Sequence, residues 1–138
     1  MKNNVTVKFT SDSINESFAR VCVASFISYL DPTLKTIAEI KTAVSEAVTN
    51  AIVHGYEGQR GTITMKLCIE NDILSVTISD NGRGMDNVKK AMRPLYTSKP
   101  ELERSGMGFT VMQSFMDSLS VKSTPNIGTS VTMTKRVI

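Results

Sequence analysis

Tryptophan is missing from this chain of 138 residues, and phenylalanine and tyrosine bring the aromatic share to only 6%. Surfaces that hold single-stranded nucleic acid stack bases on aromatic side chains, so the shortage argues against direct nucleic-acid binding. Histidine occurs once and cysteine twice. Cys22 and Cys68 form no metal-type spacing and no disulfide framework; each has apolar neighbours, which fits small buried thiols in a reducing compartment. No apolar run of about 18 residues occurs, and no apolar N-terminal stretch leads to a cleavage site, so a cytoplasmic protein without membrane contact is expected. Repeats and low-complexity tracts are missing too. The net charge of +3 is dispersed rather than gathered into a basic stripe.

What is present fits one ordinary domain spanning 1–138, with 41% hydrophobic and 21% charged residues. Val5–Phe9 alternates apolar and polar residues and predicts a strand. Ser13-x-x-Glu16 has the spacing of a capping box, opening a helix to about Leu30 with Phe18, Val21, Cys22, Ser25, Phe26 and Tyr29 inward. Asp31-Pro32 supplies an N-cap and first residue for a second helix, from about Thr33 to His54, with Gly55 as its stop. A hairpin follows, turning at Asn71-Asp72. Residues 85–105 show no period and hold two of the four prolines, which predicts a lid-like loop. A helix from Gly108 to about Ser118 and a final hairpin, Ser120–Ser123 with Thr129–Lys135, complete the chain. Helices interspersed among strands predict a two-layer α+β sandwich: a mixed, largely antiparallel sheet with helices on one face.

Three short segments carry chemistry. Glu46 and Asn50 lie one turn apart on the second helix, offering a proton-accepting carboxylate and a hard oxygen ligand for Mg²⁺ on one face. Such a pair is more often a solvated helix surface, but Ala47, Val48 and Ala51 set it at the border of the apolar stripe. Asp80 ends a strand, where open sheets bind ligands, and its acceptor-only carboxylate matches the exocyclic amine of adenine. Gly82 and Gly84 let the backbone turn and approach the base, though the same pentad is commonly a plain turn. Ser105-Gly-Met-Gly108 opens a helix whose free N–H groups suit phosphate, with Lys99 and Arg104 just upstream. His54 fits a helix-end role better than catalysis. Together these describe a purine nucleotide pocket.

The order helix-E-x-x-x-N, strand-D-x-G-x-G, lid, G-x-G-helix, then Gly128-Thr129 resembles the signature of the GHKL ATPase/kinase superfamily. Within it, Asn15–Arg20, Ser45–Tyr56 and Pro94–Thr110 closely resemble the anti-sigma-F family of endospore-forming bacteria. The resemblance implies a GHKL nucleotide-binding fold and a homodimeric serine-protein kinase using ATP and Mg²⁺. Such a protein would inhibit the sporulation sigma factor F and phosphorylate a serine of its anti-anti-sigma partner. Glu46 would be the base, with Arg104 as its catalytic cation, and Asn50 the Mg²⁺ ligand. Asp80, Gly82, Gly84 and Thr129 would hold adenine, while Arg104, Gly106 and Gly108 would hold phosphates. The implied nucleotide site also takes in Thr49, Thr97, Ser105 and Met107, and Arg20 matches a partner-binding arginine. Competing readings are a nucleotide-dependent sequestering module with little kinase activity, and an anti-sigma kinase for another sigma factor. An isolated histidine-kinase catalytic half fits less well, because the single His54 ends a helix and no phospho-acceptor helix pair accompanies it.

Overall fold

The computed structural model describes residues 2–92 and 108–138. The elements run β1 (Lys2–Thr10), α1 (Ile14–Ile27) with a trailing 3-10 turn (Ser28–Leu30), and α2 (Leu34–Asn50) with a trailing π-helical turn (Ala51–Gly55). They continue through β2 (Thr62–Glu70), β3 (Ile73–Asp80), a one-turn α3 (Val88–Ala91), α4 (Gly108–Phe115), β4 (Ser118–Thr124) and β5 (Gly128–Arg136). The sheet order is β1-β2-β3-β5-β4, and every adjacent pair is antiparallel. The expected mixed sheet therefore resolves to a fully antiparallel one. Two helices separate β1 from β2, so the chain reverses an odd number of times and the neighbours oppose each other. Between β3 and β4 the chain passes through α3 and α4, and β5 then inserts between those two strands in the sheet.

Alternation along the strands places the core. Ile63, Met65, Leu67 and Ile69 of β2, with Leu74, Val76 and Ile78 of β3, point under the helices and are 2% exposed or less. Each such side chain stabilises the fold by about 1.5–3 kcal/mol. Helix α2 lies over this face through Ile40, Ala43, Val44, Ala47 and Val48. The opposite face is hydroxylated: Thr77 meets Thr132, and Ser79 meets Ser130, each at 3.1 Å. Cys68 sits half-buried on that face, and Cys22 is half-buried on α1, so neither is the buried thiol expected from its neighbours. The β2–β3 turn is the expected Asn71-Asp72, with φ of 52° and 63°, the left-handed pair that matches strand twist.

Several expectations are corrected. The inner stripe of α1 is Ala19, Val23 and Ile27, whereas Phe18, Val21 and Tyr29 are 47, 62 and 51% exposed. Of the expected stripe, Cys22 and Phe26 do pack against the core, whereas counting large apolar residues missed small Ala19 and took in outward-facing Phe18, Val21 and Tyr29. The Ser13–Glu16 capping box does not form; Ser13 makes no side-chain cap bond, and the Ile14 N–H donates to Asp12 Oδ1 at 3.1 Å. Thr33, not Asp31, caps α2, its hydroxyl accepting from the Thr36 N–H at 3.1 Å. Asp31, at φ 52°, closes the preceding 3-10 turn. Within the stretch expected to be a lid, α3 forms one helical turn. Among the described residues no helix is long and apolar enough to cross a membrane.

Candidate nucleotide site

Four separated segments meet at one end of the sheet: the end of α2, the end of β3, the start of α4 and the β4–β5 turn. They enclose a cavity of about 450 Å³ lined by Asn50, Asp80, Gly84, Gly108 and Thr129, all of which the sequence had placed at a nucleotide. Ala51, Ile78, Phe109 and Val131 give it apolar walls. An apolar cleft with a few convergent polar groups is the usual form of a small-molecule site.

Asp80 is the innermost polar group. It is 7% exposed, and its Oδ1 accepts the Gly82 N–H at 2.9 Å. Burial pushes its carboxyl upward from the ordinary value, and the backbone N–H groups of Gly82 and Thr129 oppose that by stabilising the charge. The approach of α2 to β3 fixes its position. A Cβ on Gly55 would stand 2.7 Å from the Asp80 Cγ, and a Cβ on Gly82 would stand 2.0 Å from the Gly55 carbonyl oxygen. The Arg83 N–H then donates to that same carbonyl at 2.8 Å. The helical run ends at Gly55 as expected, and contact with Asp80 is a further reason for glycine there. Gly82 is packed on backbone and does not line the cavity. Gly84 does line it, at φ +70°, with a Cβ position 2.1 Å from the Thr124 carbonyl oxygen.

At the other end of the cavity, the first residue of α4 leaves room for two α2 side chains. A Cβ on Gly108 would lie 3.1 Å from Asn50 Oδ1 and 3.3 Å from Glu46 Oε2, so the carboxylate and the carboxamide meet the same helix start. Thr129 pairs with Asp80 across β5 and β3, and its hydroxyl bonds Ser123 Oγ at 2.8 Å. Ser123 Oγ also accepts the Met85 N–H at 2.7 Å, tying the chain after β3 to the β4–β5 turn.

Neither Thr49, assigned to the nucleotide, nor Arg20, assigned to a partner surface, lines the cavity. Thr49 faces α1, its hydroxyl donating to Glu16 at 3.3 Å instead of reaching the cavity. Arg20 is on α1, its Nη1 donating to Glu16 at 3.2 Å. Thr97, Lys99, Arg104, Ser105, Gly106 and Met107 lie outside the described residues. His54 and Arg83, not assigned to the pocket, do line it. His54 follows Asn50 by four residues, so helical spacing alone could have found it. Arg83 Nε bonds the His54 carbonyl at 3.1 Å, a contact across the fold that no local pattern announces.

The tight contact at Gly55 is open to test. Gly55→Ala should displace Asp80, so nucleotide affinity should fall in calorimetry while overpacking destabilises the fold by about 1–3 kcal/mol. Gly58→Ala, strained at φ +78° but facing open space, is the control: it should lower the melting temperature and leave affinity intact.

The comparisons with known proteins agree with this geometry. Residues 9–135 match the family model described as a histidine kinase-like ATPase domain, a nucleotide-binding family. The chain is 54% identical over 138 residues to an anti-sigma F factor of Bacillus licheniformis, covering 99% of this chain and 94% of that protein. It is 57% identical over 133 residues to an anti-sigma F factor of Clostridium kluyveri, covering 96% and 94%. The fold is similar, with a TM-score of 0.70 at 18% identity, to a crystal structure of the RsbU and RsbW domains of a Mycobacterium tuberculosis protein, over 98% of this chain and 32% of that one. With its cavity, its antiparallel sheet and these relatives in view, the chain belongs to the anti-sigma F factor family, built on the histidine kinase-like ATPase domain of the GHKL superfamily.

Proposed function

We propose that this protein is an ATP- and Mg²⁺-dependent serine-protein kinase that also holds the sporulation sigma factor F inactive, its phosphate acceptor being a serine of the anti-anti-sigma partner. The observation that carries the reading is the convergence of Asn50, Asp80, Gly84, Gly108 and Thr129 on one cavity, with Glu46 beside Asn50 at Gly108. Asp80, buried and anchored by backbone N–H groups, accepts the adenine amine. The start of α4 offers its N–H groups to phosphate. Glu46 accepts the proton of the attacking seryl hydroxyl.

The donor set at the Gly108 end suits Mg²⁺, which takes hard oxygen ligands and few protein groups. Asn50 Oδ1 would hold the ion, whose charge would neutralise phosphate oxygens. Arg104, Gly106 and the other phosphate contacts drawn from the resemblance belong to the same proposal. The reading includes a homodimer, for which the outer face of α1 is suited: Ile14, Phe18, Val21 and Tyr29 are exposed along one side, next to the edge strand β1. A helix face paired with its own copy gives a closed two-fold contact. Sedimentation should show a dimer, and Phe18→Glu should shift it to monomer.

Asp80→Ala removes a hydrogen bond to a charged group, worth about 1.5–3 kcal/mol, and should lower ATP affinity about 10- to 150-fold in calorimetry. The ionised carboxylate is the acceptor, and its pKa is raised by burial. Affinity should therefore fall as pH drops through a range above the ordinary 3.8, and Asp80→Ala should flatten that dependence. Unchanged ATP binding in the folded variant would remove Asp80 from the site.

Glu46→Gln keeps size and hydrogen bonding but cannot take the proton, so phosphotransfer should fall by about 10²–10⁴ while ATP binding and sigma retention persist. Labelled ATP with the purified anti-anti-sigma partner measures this. An acid-stable label marks phosphoserine; a wild-type protein that retains sigma factor without transferring label would be a sequestering module instead.

A further inference from the structure

Glu16 is a charged residue at a helix–helix contact that the proposed chemistry does not use. One of its carboxylate oxygens accepts from the Ser45 hydroxyl and from Arg20 Nη1, the latter at 3.2 Å. The other accepts from Thr49 Oγ1 at 3.3 Å. Ser45 and Thr49 are one turn apart, so a single carboxylate grips two successive turns of α2. The residues that follow them, Glu46 and Asn50, lie about 100° further round the same turns. Both of those side chains reach Gly108.

We infer that Glu16 is a positioning residue: from outside the cavity, through Ser45 and Thr49, it sets the rotation of α2 that brings Glu46 and Asn50 to the start of α4. The backbone makes such a strut necessary. The Ala51 N–H is shared between the Ala47 and Val48 carbonyls, and the helix then passes into the π-helical turn Ala51–Gly55. Regular α-helical hydrogen bonding thus ends one residue beyond Asn50, and such transitions often accompany functional sites. Hydrogen bonds to an ionised acceptor are stronger than neutral ones, which suits two hydroxyls holding a helix against rotation. Arg20 offsets the charge where the Glu16 side chain is only 31% exposed.

The inference rests on Glu46 as base and Asn50 as ligand at the phosphate end. A misplacement of about 1 Å can cost about 100-fold in rate, so E16A should lower phosphotransfer kcat by about 10- to 100-fold. ADP affinity measured without metal should stay at the wild-type level, because the adenine end is anchored on β3. E16Q keeps one acceptor and should fall between E16A and wild type. S45A/T49A, which leaves Glu16 and Arg20 paired, should reproduce the E16A defect and add nothing to it in combination. That variant also carries the test should E16A not fold. Wild-type kcat in folded E16A or S45A/T49A overturns the inference, and so does a loss of ADP affinity in step with kcat. Amide hydrogen exchange over Glu46–Asn50 separates this failure from that of the proposed reaction. If wild type transfers no phosphate, faster exchange there in E16A still upholds the strut, and unchanged exchange overturns it.

Discussion

Backbone packed on backbone, with no Cβ between, is what the site depends on. Gly55 at the end of α2 abuts the Asp80 carboxylate, and Gly82 rests on the Gly55 carbonyl, which also accepts the Arg83 N–H. The contact brings a helix end within van der Waals reach of a strand end, so two elements that each carry polar groups share one wall. It also keeps water away from Asp80 while leaving its oxygens supplied with N–H partners, a combination that holds a buried carboxylate ready to accept. Tyr56 reinforces the junction, its hydroxyl accepting the Asn81 N–H at 2.9 Å and donating to the Thr62 carbonyl at 2.5 Å.

The features legible in the sequence were those governed by local period or local chemistry. Alternation gave β2 and β3 their buried faces, Asn71-Asp72 its turn, and Asp80 its place at a strand end. Asn50, Gly84, Gly108 and Thr129 were found at the cavity because motif spacing reports which residues share a helix face or a turn. What was misread depended on partners far along the chain. Glu16 has a capping spacing, yet two hydroxyls on another helix claim it. The fully buried side of α1 runs through small Ala19, which counting large apolar residues passes over. Thr49 stands beside Asn50 in sequence but faces another helix, since adjacent helical residues point about 100° apart.

Helix α2 therefore serves three surroundings at once. Ile40, Ala43, Val44, Ala47 and Val48 press on the sheet, Ser45 and Thr49 meet α1, and Glu46 and Asn50 meet α4. Small residues at 43, 47 and 51 make this crowding possible, because they let the helix sit low on the sheet without forcing the polar side chains aside. The hydroxylated outer face of the sheet is the counterpart. With Thr77, Thr132, Ser79 and Ser130 paired across strands, the second face needs no covering layer, and all the packing is concentrated on the helical side.

The topology has a consequence for synthesis on the ribosome. β1 is made before its ladder partner β2, and α1 and α2 must both follow before Thr10 can meet Thr62. During that interval Val5, Val7 and Phe9 have no sheet to join, and the strand is open to pairing with other nascent chains. Lys2 and Lys8, charged and exposed on the strand, discourage such encounters. Pairing β1 with β2 closes the chain over the whole of α1 and α2, a separation whose entropy must be overcome before burial rewards it. The same strand borders the exposed face of α1, so completion of the sheet and completion of that outer surface are one event in the birth of the molecule.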